Sequence, residues 1–349
     1  VQTVLGSIEP HQLGYTLTHE HMSLDFSNFY SNAPDSVANY LGGKITLENV
    51  GYHKQYPYSS RYNINFGDHD THEAVEKDLL LYKKFGGGSI VENSSHGLQR
   101  NLQFMYDVSE RTQVHVIAGT GHYISACQSE ATNKLKIEDL CDLYTKEILF
   151  GVDIDGNGKM VKCGFIGEVG STWPITHFER NCILATAEVQ STVGCAVSFH
   201  PHRDPNAPFE IVRLYLEAGG DPRKCVMSHL DRTIFNDEKL FEFADLKTYC
   251  QFDLFGTECS YYQLNPLTDM PSDAQRIDKV LKLIENGNTE QILLSHDIHT
   301  KHRLTSFGGH GFGHILNNVL MRFTLKGISL DIIDKITVKN PANWLQFTP

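Results

Sequence analysis

The chain has 349 residues, a formal net charge of -12, 40% hydrophobic residues and 21% charged ones. That balance suits a folded chain with a sizeable core and excludes a disordered one, while the acidic surplus argues against non-specific binding to nucleic acid or to an anionic membrane. Its 8 cysteines are scattered with no CxxC pair, no basic region followed by an apolar stretch opens the sequence, and no apolar run approaches the ~18 residues of a membrane span. The expectation is a cytoplasmic protein with free thiols.

In chain order, Gly14-Tyr15-Thr16-Leu17-Thr18 reads as a short strand that delivers His19-Glu20-His21. Residues i and i+2 share a face of a strand, so His19 and His21 project together. Residues 23–70 follow, rich in Asn, Ser and Tyr and weakly periodic. A structureless loop of that length is unusual, so short helices and a lid-like position beside the two histidines are expected there. Helical periodicity starts near Thr71 and stops at Gly86-Gly87-Gly88. Strands are then predicted at 89–92, 114–118, 162–168, 194–200, 224–229, 249–254 and 291–297, and helices at 98–110, 130–150, 177–191, 208–218, 235–246 and 274–285. With the first strand this makes eight apolar strands separated by mostly helical connections. The fold class is α/β: a (β/α)8 TIM barrel as one domain over 1–349, with 23–70 inserted after the first strand beside the active site.

Polar residues recur at the predicted strand ends, where barrel chemistry sits. His19 and His21 end the first strand, Glu168 the fourth, His200 the fifth, His229 the sixth and Asp297 the eighth. Any one of these has a plain structural reading, a hydrogen-bonded histidine or a glutamate paired with a cation. Their joint recurrence points to a metal. One zinc-type ion takes about three or four protein ligands, so four imidazoles and two carboxylates imply two ions sharing a carboxylate. Imidazoles bind a borderline metal while neutral, and carboxylates lower the cluster's charge. Glu168, central in the order, is the candidate bridge, and Asp297 is both a candidate ligand and the candidate proton acceptor in catalysis. The expected cofactor is two divalent ions, zinc first, with manganese or cobalt as alternatives.

The stretches Leu17-Thr18-His19-Glu20-His21, Cys163-Gly164-Phe165-Ile166-Gly167-Glu168-Val169-Gly170, the strand ending at His200, Ser228-His229 followed by Asp231-Arg232, and Leu293-Leu294-Ser295-His296-Asp297 together resemble the phosphotriesterase family of amidohydrolase-like barrels, over nearly the full length. The resemblance implies His19, His21, Glu168 and Asp297 at one ion and Glu168, His200 and His229 at the other. Members that cleave organophosphate triesters bridge the metals with a carboxylated lysine. Glu168 stands in that place here, which keeps the single negative charge but argues against proficient phosphotriester hydrolysis. The relatives most resembled are similar to hydrolases of small N-acyl amino acids, notably N-acetyltaurine, so the resemblance implies cleavage of a linear amide C–N bond. The alternatives are lactone or phosphoester hydrolysis on the same centre, and a non-catalytic binding barrel.

An anionic group on the amine side of such a substrate needs a counter-charge. Arg203, Arg232, Lys301, His302 and Arg303 follow strand ends and are the candidates, and Tyr123 and His122 are expected to shape the acyl pocket. The expected partner is a small-molecule substrate, with no nucleic acid and no membrane, and a two-fold homodimer on general frequency. Asp153-Ile154-Asp155-Gly156-Asn157-Gly158 imitates the start of a calcium loop, but Gly164 stands where its last glutamate would be, so a polar turn is expected. Asn93-Ser94-Ser95 fits a glycosylation pattern yet falls at a predicted barrel mouth. Gly86-Gly87-Gly88 and Gly308-Gly309-His310-Gly311 lack the lysine of a phosphate-binding loop and read as turns, with His310 and His314 near the second.

Overall fold

Short apolar runs that are buried on both faces form one eight-stranded sheet in the computed structural model, which describes residues 1–348. The strands are β1 Tyr15–Glu20, β2 Gly87–Glu92, β3 His115–Thr120, β4 Phe165–Gly170, β5 Ala196–His200, β6 Cys225–Met227, β7 Tyr249–Phe252 and β8 Ile292–Leu294, and each pairs in parallel with its sequence neighbour. The edge strands are joined by loop hydrogen bonds rather than a ladder. The His19 N–H donates to Ser295 Oγ at 2.9 Å, the Asp297 N–H to the His19 carbonyl at 3.1 Å and the His21 N–H to the Ile298 carbonyl at 3.2 Å. These bonds close the sheet into a barrel and satisfy the edge groups that an open sheet would expose.

Helices alternate with the strands: α1 His69–Lys84, α2 Leu102–Thr112, α3 Ile137–Leu149, α4 His177–Val193, α5 Ala207–Glu217, α6 Asp237–Ala244, α7 Asp273–Glu285 and α8 Leu320–Leu325. Their starts follow local chemistry. Asp68 caps α1 through the Thr71 N–H, and Thr176 with Glu179 and Ser272 with Gln275 form reciprocal capping boxes on α4 and α7. Two expected elements are corrected. The helix expected over 130–150 begins only at Ile137, because Ser129 and Thr132 bond to each other in a separate single turn and Leu135 and Lys136 are extended. The strand expected at 162–168 runs instead over Phe165–Gly170. Gly164 lies so close to the N-terminal segment that a Cβ there would sit 2.3 Å from the Gln2 carbonyl oxygen.

Within residues 23–70, the pair Leu24–Asp25 and Asn65–Phe66 ties the two ends together, and short helices Val50–Gln55 and Arg61–Ile64 lie between them. Lys301, after β8, donates to the Tyr62 carbonyl at 2.7 Å and to Asp68 at 2.9 Å, fastening the insertion over the barrel. At the opposite end, Trp344 on the C-terminal helix Asn340–Leu345 packs on Phe165, with Ala196 and Tyr249 in the same buried cluster. These three residues open their strands, so the tryptophan fills the end of the barrel remote from the strand-end histidines.

The sequence Asp153–Gly158 is a polar turn, in which Asp153 Oδ1 and Asp155 Oδ1 accept from backbone N–H groups of the turn itself. Asn93 is fully buried, which removes it as a glycan acceptor. All eight cysteines are free thiols.

Candidate metal centre

His19 lies within β1, His21 just beyond it, Glu168 within β4, and His200 is the last residue of β5. His229 and Asp297 lie past the ends of β6 and β8, in left-handed backbone with φ of 59° and 54°. Non-glycine residues reach that region at a cost of about 1–3 kcal/mol, so something must hold them there. For His229 it is Asp253, which accepts from its backbone N–H at 3.1 Å. For Asp297 it is Glu20, buried at the end of β1, which accepts from Ser295 Oγ, from the His296 N–H and Nδ1, and from the Ile298 N–H at 2.7–2.9 Å.

The six side chains converge. His21 Nε2 and His19 Nε2 lie 3.3 and 3.7 Å from Asp297 Oδ1. One Glu168 oxygen is 3.6 Å from His21 Nε2. The other is 3.5 Å from His19 Nε2, 2.8 Å from His200 Nδ1 and 3.8 Å from His229 Nε2. His200 Nδ1 and His229 Nε2 are 2.9 Å apart. Glu168 thus stands between two clusters with an oxygen available to each, as a bridging carboxylate would.

The donor set fits a pair of divalent ions. His19 Nε2 is buried with no hydrogen-bond partner, an isolated polar atom aimed at two carboxylates. Asp253 Oδ1 can only accept, so at 2.7 Å it takes the Nδ1 proton of His229 and leaves the Nε2 lone pair facing Glu168. Ser94 Oγ donates to Glu92 at 2.7 Å and so accepts from His21 Nδ1 at 3.0 Å, with the same result. Burial depresses His19 to about 3 and His229 to about 4, and holds His200 well below the usual histidine value. Neutral imidazoles with free lone pairs beside carboxylates are ligands of zinc type.

A family model described as the phosphotriesterase family matches residues 1–345. The chain belongs to the phosphotriesterase family. It is therefore a hydrolase of a metal-dependent family. It is 60% identical over 350 residues to the phosphotriesterase-related protein of Aedes aegypti, covering 99% of this chain and 98% of that protein. Among solved structures it is similar to a resiniferatoxin-binding protein from Rhodobacter sphaeroides, at 26% identity and a TM-score of 0.92 over 99% of this chain and 94% of that one. It is also similar to the phosphotriesterase homology protein of Escherichia coli, at 26% identity and a TM-score of 0.78 over 97% and 100%.

Above the centre of this phosphotriesterase-family barrel only about 10 Å³ of cavity remains, closed by Phe26, Phe29 and Tyr58 of the insertion. Tyr123 lines it, with its hydroxyl 3.3 Å from His200 Nε2. Arg203 and Arg232 line it too, each within 5.1 Å of the Tyr262 ring centre. The other sequence candidates are placed elsewhere. His122 turns to the α3 side, with Nδ1 2.8 Å from the Tyr144 hydroxyl. Arg303 donates to the Asp297 carbonyl and faces a separate cavity of about 430 Å³, lined also by His302, His310 and His314. His302 bonds to Asn63 of the insertion. Sequence reading missed Asp253, whose position just after β7 is itself a strand-end signal. It also missed His299, which sits 3.2 Å from Asp297 Oδ1 and 3.0 Å from the Tyr58 hydroxyl and carries no such signal.

Proposed function

We propose that this chain is a binuclear metal-dependent amidohydrolase of the cytoplasm that cleaves small N-acyl amino acids, N-acetyltaurine first among them, into an amine and a carboxylic acid. The observation that carries the reading is the convergence of four imidazoles and two carboxylates from five strand ends on one point beneath a small cavity. The substrate class rests on resemblance.

His19, His21, Glu168 and Asp297 would hold one ion and Glu168, His200 and His229 the other, with zinc the first expectation and manganese or cobalt the alternatives. Such ions supply Lewis-acid polarisation of a carbonyl and lower the pKa of water. The rest falls to the chain. Burial works against charge on Asp297, but His299, His21 and His229 together more than offset it and keep the carboxylate well below its usual range. Asp297 is therefore ionised at neutral pH and oriented by His299 Nδ1. It takes the proton of the attacking water and delivers it to the leaving amine. Phe26, Phe29 and Tyr58 exclude bulk water once substrate is seated.

The test is metal content by plasma emission, with acetate release from N-acetyltaurine measured on the same sample before and after chelation, beside a lactone and an aryl phosphoester. About two equivalents of metal and chelator-sensitive acetate release are expected. Metal with turnover of the lactone or the phosphoester alone would overturn the amide reading and keep the centre. Asp297→Asn is expected to lower kcat by at least about 100-fold with a much smaller change in metal content; unchanged kcat would remove the proton-transfer role.

A further inference from the structure

Arg232 is 3% exposed and lines the cavity over the metal ligands. Among the described residues its guanidinium has no hydrogen-bond acceptor and no ion-pair partner; its cation rests 5.1 Å from the centre of the Tyr262 ring. Of the other deeply buried arginines, Arg276 is ion-paired, 3.0 Å from Asp231 and 3.0 Å from Asp273, and Arg303 donates to the Asp297 carbonyl, so Arg232 is the one whose guanidinium meets no acceptor among the described residues. A buried guanidinium that is left unpaired is costly, and it persists where a ligand supplies the counter-charge.

Arg203 rests on the same ring. Its cation lies 4.5 Å from the Tyr262 centroid and its Nη2 donates to the Tyr262 hydroxyl at 2.7 Å, while its Nε is buried with no partner. Two cations therefore share one aromatic ring at the edge of the cavity, with donor atoms left over. The centre does not neutralise them. Two divalent ions, less the charges of Glu168, Asp297 and Asp253, leave about +1 before either guanidinium is added. A neutral lactone or triester would leave the Arg232 guanidinium and the Arg203 Nε unmatched.

We propose that Arg232, assisted by Arg203 on the Tyr262 ring, is the anion-reading end of the cavity, so that the substrate carries an organic oxyanion on the side of the scissile bond away from the acyl group. The inference rests on the amidohydrolase reading for the orientation of the substrate, and on the arrangement of the two arginines for its charge. Arg232 acts as a specificity-determining residue that recognises a sulfonate or a carboxylate through charge-assisted hydrogen bonds.

The experiment is calorimetric titration of the metal-loaded protein with ethanesulfonate, propionate and the neutral ethanesulfonamide, in wild type, Arg232→Gln and Arg232→Lys. Metal content is measured on each sample. Both oxyanions should bind wild type at least about 10-fold more tightly than the sulfonamide, and that advantage should fall about 10-fold or more in Arg232→Gln and be partly restored in Arg232→Lys, with metal content unchanged. The tighter of the two oxyanions identifies the headgroup. In parallel, KM for N-acetyltaurine should rise by a similar factor in Arg232→Gln, with kcat changed much less. Oxyanion binding that is equal in wild type and Arg232→Gln, or no tighter than the sulfonamide in wild type, overturns the proposal. Should Arg232→Gln fail to fold, the wild-type comparison of oxyanion with sulfonamide and the lysine variant decide the matter. Oxyanion binding that depends on Arg232 in a protein that releases no acetate would sustain this inference and overturn the amidohydrolase reading.

Discussion

Asp253 accepts hydrogen bonds from both the backbone N–H and Nδ1 of His229, and so sets the tautomer, the ring plane and the left-handed backbone of one ligand together. Asp253→Asn should weaken metal binding on the His229 side of the proposed centre by about 10- to 100-fold, as loss of a carboxylate behind a ligating histidine does; competition with a chromophoric chelator measures it, and an unchanged affinity would show that His229 is held by other means. Glu168 gives a pH dependence with a definite sign. Burial lifts its carboxyl to about 7, so below that pH it carries a proton that metal binding must displace. Apparent metal affinity should therefore rise with pH up to about 7 and then lose this component, with proton release on loading seen in weakly buffered solution. The convergence of the six candidate side chains was legible because metal chemistry needs imidazole and carboxylate at strand ends, an address that local pattern supplies. His299 and Tyr58 were not, because their contact joins an aperiodic loop to an insertion that lies more than half the barrel away in sequence.

Helix starts were legible for a related reason: a cap is a local bargain between a side chain and an N–H three residues on, as at Thr176 and Ser272. The start of α3 was not, since the stretch 130–136 has helical composition and is held out of the helix by its own hydroxyls. The helix itself carries a clamp. Glu147 on α3 accepts from Arg100 at 2.6 Å, Thr120 at 2.6 Å and His96 at 3.1 Å, tying the loop after β2 to the end of β3. Burial opposes its charge, but the His96 bond and the Arg100 cation prevail and bring it to about 2, against the usual 4.5. A carboxyl depressed in the folded state adds stability that is complete above about pH 4.5 and is lost as pH falls towards 2. Glu147→Gln should cost about 3 kcal/mol at neutral pH and flatten that acid limb, as measured by urea denaturation across pH. A variant as stable as wild type at pH 7 would show the clamp to be dispensable.

At the scale of the molecule the barrel divides its labour between its ends. The strand-end face carries the centre; the opposite face is filled by Trp344, whose Nε1 donates to the Val197 and Lys224 carbonyls at 3.2 and 3.1 Å. Trp344→Ala should destabilise the fold by about 3–5 kcal/mol in chemical denaturation while leaving metal stoichiometry unchanged in the folded fraction. Loss of metal without loss of stability would contradict that division. Eight alternating strands and helices made the barrel legible from the sequence, whereas its C-terminal plug was not, because the segment from Ile315 to Leu345 is broken into short, partly π-helical pieces with no clean period.

The seam between β1 and β8 has a further consequence, in time rather than in space. His19 meets Ser295, and His21 meets Asp297, across a sequence separation of 276 residues. A growing polypeptide emerges from its N-terminus, so His19 and His21 wait in an unclosed sheet until the residues of β8 and Asp297 have been synthesised. The first metal cluster cannot exist on a nascent chain that stops before Asp297. A chain truncated before Asp297 lacks the seam and the His19, His21 and Asp297 group together, and is expected to lose the metal capacity proposed for it.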